Sequence, residues 1–373
     1  MILITRGNGM KLHKLISLIE LKGAEGAVIV GSSNVSYFIG LRVSGTLVVD
    51  STGATLYVPI LDYTKITDAA KGLGIEKIAI KAFSPYKVDE FFIPSIKAKK
   101  LIDLIKQHFK KGSRIILDRE SLKPSALETL KDFNIVDVSS DINKYRMIKD
   151  PDEIRKIEQA TRITEKGLER ALEILREGIT EVEVASFIEL EMRLRGAEQV
   201  SFSTIVASGP RAAYPHAIPT RNPISKGDVV IIDTGATYQA YCSDMTRAII
   251  LGRTSPEIEK AIKAVIEAID VAIEKIIPGT KCSEVDRVAR DVIRKHGLSK
   301  YFIHSTGHGV GIDVHEPPRL SPDSEDVLRA GMVVTIEPGI YVWNKYGVRI
   351  EELVLVTERG PRVITQMPRV FEK

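Results

Sequence analysis

The sequence predicts an α/β protein in two parts: an N-terminal α/β unit over residues 1–145 and a C-terminal α+β unit over 146–373. Three observations carry this. Helical and strand patterns alternate through the first 140 residues, a charged, proline-punctuated segment follows, and the remainder reads as two faintly similar halves related by a pseudo-two-fold axis.

In the first part, a 3.6-residue apolar period predicts a helix near 10–22 and another at 121–132. Short apolar runs at 26–31, 45–50, 54–59, 77–82 and 114–117 read as strands. The Lys/Arg clusters at 97–100 and 106–111 are expected on a helix and its exit, as a solvated face. The segment Met147-Ile148-Lys149-Asp150-Pro151-Asp152-Glu153 then leads into a long amphipathic helix, and a proline there suits a helix start at a boundary near residue 145.

The duplication is ordered over some hundred residues. Glu177-Gly178, Glu183-Val184, Arg193 and Gly196 run parallel to Pro278-Gly279, Glu284-Val285, Arg294 and Gly297. Each set follows a helix opening with proline and an acidic residue, at Pro151-Asp152 and Pro256-Glu257. Each precedes a β-hairpin, with Ile232-Asp233-Thr234-Gly235 matching Ile336-Glu337-Pro338-Gly339, and His216-Ala217-Ile218-Pro219 matching His315-Glu316-Pro317-Pro318.

Within those hairpins, Asp233 and Asp244 are expected opposite each other across a tight turn near Tyr238, and Glu337 and Glu351 repeat the arrangement. Four carboxylates converging between apolar strands repel one another and lose hydration, so cations must offset them. Between the hairpins, His304-Ser305-Thr306-Gly307-His308-Gly309-Val310-Gly311-Ile312-Asp313-Val314-His315 brings three of seven histidines together. Its glycines rule out a regular helix and let backbone approach a site closely. Carboxylates plus one imidazole suit hard or borderline divalent ions such as Mn²⁺, Co²⁺, Fe²⁺ or Zn²⁺, and so many oxygen ligands suit two ions better than one.

Composition excludes several classes. With 44% apolar and 27% charged residues and a net charge of +4, the chain is globular and only slightly basic, without an aromatic-interleaved nucleic-acid motif. Cys242 and Cys282 are too few and too isolated for a disulfide framework or a cysteine zinc site, so reduced thiols in a cytoplasm are expected. Neither a leader over Met1 to Asn8 nor a membrane-length apolar run is legible. Asn and Gln are scarce while charged residues abound, a bias of proteins that work hot.

Ile-Asp-Thr-Gly-Ala, Ser-Asp-Met-Thr-Arg, Gly-His-Gly-Val-Gly-Ile-Asp-Val-His-Glu, Thr-Ile-Glu-Pro-Gly-Ile-Tyr and Val-Arg-Ile-Glu-Glu, in that order over about 150–360, resemble the pita-bread metallopeptidase family of prolidase, aminopeptidase P and methionine aminopeptidase. The resemblance implies that Asp233, Asp244, His308, Glu337 and Glu351 hold two metal ions, with Asp244 and Glu351 bridging both. It implies that His216 is an upper active-site histidine and that His304 and His315 line the substrate cleft, with Tyr341 and Arg349 matching further cleft positions. The first part, including Ser33-Asn34-Val35-Ser36-Tyr37-Phe38-Ile39-Gly40, looks like the extra creatinase/prolidase-type domain of prolidases and aminopeptidases P, and a homodimer is inherited with it. Relatives commonly begin near Met10, so the start is expected at Met1 or Met10. One departure stands out: Ala240 occupies a turn position where the family usually has glycine.

Two cations sharing a water lower its pKa and polarise the scissile carbonyl. Glu337 is then expected to exchange the proton, with His216 and His315 stabilising the tetrahedral stage. Arg319 sits where prolidases resemble one another in gripping the free carboxylate of a C-terminal proline, a task suited to a guanidinium fork. The expectation is an Xaa-Pro dipeptidase acting on short proline-containing peptides. The alternative is an Xaa-Pro aminopeptidase acting on longer ones. A pita-bread protein that only binds, or one that hydrolyses creatine without metal, would normally lack some of the five ligands.

Overall fold

The computed structural model describes residues 9–72, 78–86 and 92–373, which leaves the Met1 to Asn8 stretch and the first residue of the strand expected at 77–82 outside the described residues. The chain divides into two compact units, Met1–Arg146 and Met147–Lys373.

The first unit is a seven-stranded sheet, in the order Ser95–Lys97, Ala79–Ser84, Gly53–Pro59, Thr46–Asp50, Gly26–Ile29, Arg114–Leu117, Asn134–Asp137. The three middle strands pair antiparallel and the outer ones parallel. All four residues of Gly26–Ile29 are buried, which is why this strand reads as an unbroken apolar run. The motif around Ser33 forms the helix Ser32–Ile39, and Gly40 ends it at φ 75°, a left-handed conformation that costs glycine nothing. Two expectations shrink. The helix at 121–132 is only Pro124–Glu128, because 3₁₀-type bonds such as Leu130 N–H to Leu127 close the chain early. The basic clusters flank the short helix Leu101–Ile105 rather than lying on it. Strands Ser95–Lys97 and Asn134–Asp137 carry too few apolar residues to have been read.

The second unit repeats a helix pair and a twisted sheet. Helix Pro151–Ile174 starts where Asp150 accepts hydrogen bonds from the Asp152 and Glu153 amides while Glu153 reaches back, with Pro151 in the first turn. Such a cap stabilises by about 1 kcal/mol. Helix Glu181–Leu194 follows under a second capping box, from Thr180 and Glu183. In the other half, Ser255 caps Pro256–Glu274, which packs on Cys282–Lys295. The first pair closes a core with Val206, Val230, Ile232 and Met245, and the second with Val334, Ile336, Val348 and Val354. The two sheets run Val370–Glu372, Met245–Ile250, Val229–Thr234, Ile205–Ser208 and Glu316–Leu320, Gly307–Gly309, Val333–Ile336, Glu352–Thr357, Gly360–Val363. Among the described residues no helix is long and apolar enough to cross a membrane.

Each half's hairpin extends past its sheet. In the first, Tyr238 pairs with Tyr241, so Gln239 and Ala240 form a two-residue turn at φ 46° and 70°. That is a type I′ conformation, which glycine enters without cost and alanine does not. In the second, Val342 pairs with Tyr346 and Asn344 takes the left-handed position, φ 60°, in a three-residue loop.

Candidate metal centre

Asp233 lies near the end of Val229–Thr234 and Asp244 immediately before Met245–Ile250. The register pairs Asp233 with Thr246, so Asp244 is displaced by two residues along the returning strand rather than directly opposite. The offset is an even number, which keeps both carboxylates on one face. In the second hairpin Ile336 pairs with Glu352 and Gly339 with Arg349, which brackets Glu337 and Glu351 as true opposites. His308 comes from the strand Gly307–Gly309. A Cβ on Gly307 would stand 2.0 Å from the Thr335 carbonyl oxygen, so only glycine lets this strand lie close enough to bring His308 to the acids.

These five residues meet. Donor atoms of His308, Glu337 and Glu351 lie within 4.8 Å of one another, as do those of Asp233, Asp244 and Glu351. A third such group joins Asp244 and His308 to His315, whose ring centroid is 4.3 Å from that of His308. His308 Nε2 is 3.3 Å from Glu337 Oε1 and 3.6 Å from Asp244 Oδ2.

The electrostatics are those of a charge cluster short of counter-charge. Burial, followed by Glu351, Asp233 and Glu337, holds the Asp244 carboxyl well above the usual carboxylate range. Burial, then Glu337 and Asp233, pushes Glu351 up to about 8. Burial also opposes ionisation of Glu337, but its hydrogen bond and attraction to His308 outweigh that and lower it. The same contacts overcome burial at His308 and raise it to about 8. Burial, with His308 next, depresses His315.

The residues fit divalent cations. Asp233 Oδ1 and Glu351 Oε1 are buried carboxylate oxygens with no hydrogen-bond partner, a state that costs several kcal/mol unless something positive fills it. Their other oxygens are tethered: Arg349 donates to Asp233 Oδ2 at 2.6 Å and Thr246 to Glu351 Oε2 at 2.9 Å. Each carboxylate is thus oriented by one oxygen and leaves the other facing the cluster.

The cluster lines a cleft of about 1190 Å³, together with His216, His304, His315, Arg319 and Arg349. Arg319 is exposed on strand Glu316–Leu320, paired with His308 in register. Tyr341 and Arg349 are buried and brace the cleft wall, where Arg349 also lines the cleft. The Tyr341 hydroxyl accepts from Arg349 at 2.8 Å and bonds His304 Nε2 at 3.0 Å, and burial pushes its pKa up to about 12. Arg349 also donates to the carbonyl of Pro215 at 3.1 Å, so its nitrogens are committed to protein groups. Sequence reading did not single out Thr246 or the apolar wall of Phe202, Tyr214, Ile218 and Ile303. Thr246 sits two residues from Asp244 on the same strand face, and that spacing was the available signal.

A metal-type cluster on this two-unit frame has close parallels. The model of metallopeptidase family M24 matches residues 155–358, and that of the Creatinase/Prolidase N-terminal domain matches residues 11–148. The chain belongs to metallopeptidase family M24. It is a metal-dependent hydrolytic enzyme, and the acid–histidine groups above are its candidate positions for divalent ions. It is 38% identical, over 96% of its length and 97% of the relative's, to the Xaa-Pro dipeptidase of Pyrococcus horikoshii. The prolidase structure from Pyrococcus furiosus superposes with a TM-score of 0.82 at 37% identity, covering 95% of this chain and 100% of that one. An X-Pro aminopeptidase structure from Thermotoga maritima gives 0.84 at 32% identity, over 97% of this chain and 99% of that one.

Proposed function

We propose that this M24 enzyme is an Xaa-Pro dipeptidase using two divalent ions, Mn²⁺ or Co²⁺ first. The observation that carries the dinuclear reading is the pair of orphaned carboxylate oxygens, Asp233 Oδ1 and Glu351 Oε1, in overlapping donor groups that together contain Asp244, His308 and Glu337. When bound, such ions acidify water and polarise the scissile carbonyl.

The chain's own residues supply the rest. Glu337 receives the proton of the attacking water and passes it to the proline nitrogen as the bond breaks. His315, which burial biases toward the neutral imidazole, retains one N–H to donate to the carbonyl oxygen as that oxygen gains charge, and His216 faces the same space. Arg319 binds the carboxylate of the C-terminal proline, a group only a dipeptide presents there. On this reading residues 1–145 are the accessory domain and 146–373 the catalytic one. The two buried, unpaired cysteines support a cytoplasmic setting, and a homodimer comes from the resemblance, to be checked by light scattering.

One observation favours the aminopeptidase alternative: beyond Arg319 the cleft runs on into a shallower groove of about 920 Å³ bordered by Ser321 and Asp326, room for a longer peptide. The test is turnover of Met-Pro against Met-Pro-Ala by metal-stripped protein reloaded with Mn²⁺ or Co²⁺. Metal-dependent cleavage of the dipeptide supports the proposal, whereas efficient cleavage of the tripeptide alone replaces it with an aminopeptidase.

A further inference from the structure

Outside the metal cluster, the buried carboxylates of the catalytic unit include, in each half, one on the second helix of the pair that bonds chain beyond its own helix. Glu181, at the start of helix Glu181–Leu194, is fully buried and accepts hydrogen bonds from both feet of the 208–220 segment. These come from the Ser208 amide at 3.0 Å, the Thr220 amide at 3.1 Å and the Thr220 hydroxyl at 2.9 Å. Arg211 Nε joins them at 3.0 Å, and Arg211 also donates to the Ile218 carbonyl at 2.7 Å, crossing the segment from one side to the other. Between those feet stands His216.

The other half repeats the device at a different sequence position. Asp286, on helix Cys282–Lys295, is fully buried and accepts from the Thr306 amide at 3.1 Å and the Thr306 hydroxyl at 2.9 Å. Arg290 Nε donates to it at 2.6 Å, and Arg290 also donates to the His304 carbonyl at 2.6 Å. In both halves a carboxylate holds both polar groups of one threonine and the Nε of one arginine, and that arginine grips a carbonyl at the cleft wall. Neither carboxylate belongs to the metal-type groups.

We propose that Glu181 and Asp286 are positioning residues, which act on the reaction through His216 and His304 by fixing the two segments that carry them. The physical reason is geometric. Buried charge-assisted bonds have few alternative partners, so they hold a loop to one conformation, and a displacement of about 1 Å at a reacting group costs on the order of 100-fold in rate. The inference rests on the peptidase reading, in which those histidines meet the substrate.

The experiment uses the full chain reloaded with Mn²⁺ and Met-Pro as substrate. Glu181→Gln and Asp286→Asn should each lower kcat/KM by about 10- to 100-fold per metal-loaded protein, with metal content unchanged. The double variants Glu181→Gln/His216→Ala and Asp286→Asn/His304→Ala should be no slower than the histidine variants alone. Multiplicative losses in the doubles, or variants with a lowered melting temperature but unaltered kcat/KM, would overturn the proposal. Should either carboxylate variant fail to fold, Thr220→Val and Thr306→Val remove single donors and should show the same pattern at a few-fold scale. Imidazole NMR tests positioning without turnover: Glu181→Gln should perturb the His216 resonance and leave His304 unchanged, and Asp286→Asn the converse. Unaltered histidine resonances in both variants count against it, whereas a wild type inactive on Xaa-Pro peptides would undo the dipeptidase reading alone.

Discussion

The two hairpins of the catalytic unit carry the same two acidic functions in different registers. Asp233 pairs across from Thr246, leaving Asp244 two residues along, while Glu337 and Glu351 are bracketed as direct opposites. Yet Asp233, Asp244 and Glu351 reach within 4.8 Å of one another. A shift of two residues preserves the face of a strand, and side-chain length adjusts the reach, so what the two halves share is a face rather than an alignment. The turns differ as well. The first hairpin forces Gln239 and Ala240 into left-handed backbone, whereas the second places Asn344 there, a residue that tolerates it.

The largest effect expected from this comparison is loss of the proposed metal ligands. Asp244→Ala in the first hairpin and Glu351→Ala in the second should each reduce kcat/KM on the order of a thousandfold or more, with metal content falling in elemental analysis. A variant that keeps both full metal content and activity would show that its hairpin does not supply a ligand.

Next in size is Arg319→Ala, expected to weaken Met-Pro turnover by roughly 100-fold, mainly through KM, because a charge-assisted grip on the carboxylate is lost. Equal losses on Met-Pro-Ala would mean that Arg319 does not read the free proline carboxylate.

The acid cluster also predicts a pH dependence. In the metal-free protein Glu351 and His308 both hold protons up to about pH 8, so divalent ions must displace them. Affinity should therefore fall as pH drops below about 8, by roughly tenfold per unit for each proton released, measured by calorimetry in buffers of different ionisation enthalpy. Both groups have folded values raised above their ordinary 4.5 and 6.5. Their contribution to metal-free stability is thus present at low pH and lost as pH rises toward 8, so metal should raise the melting temperature more at pH 8 than at pH 5. A gap independent of pH would mean that these groups do not change protonation on loading.

The smallest effect concerns the turns. Ala240→Gly should stabilise by about 1 kcal/mol, or roughly 2–4 °C in Tm, with unchanged turnover, and Asn344→Ala should destabilise by a similar amount. Equal and negligible shifts would remove the strain argument for the first turn.

The acid–histidine cluster was legible because each member stands in a compact apolar or glycine-rich run whose residues announce a strand, and because the five runs stand in one order. The turn at Ala240 was legible for the same local reason. The braces were not. Arg349 reads from the sequence only as a cleft residue, and its hydrogen bonds to Asp233, Pro215 and Tyr341 appear only in the folded chain. Glu181 sits in a helical first turn, where an acid ordinarily faces water, and its partners lie 27 to 39 residues away. Strand Asn134–Asp137 escaped because few apolar residues mark it, and the helix expected at 121–132 came out longer than Pro124–Glu128 because the apolar pattern does not register the 3₁₀-type bonds that close it.

By itself the sequence determined which side chains are available for chemistry, the order of the two halves, and the strands and turns that present them, since periodicity, proline caps and glycine conformations are local properties. Tertiary structure alone decided the hairpin offset, the unpaired oxygens of Asp233 and Glu351, and the commitment of Tyr341 and Arg349 to protein partners. Those depend on which distant groups share a buried volume, and on whether hydrogen bonds or cations compensate their charge once water is gone.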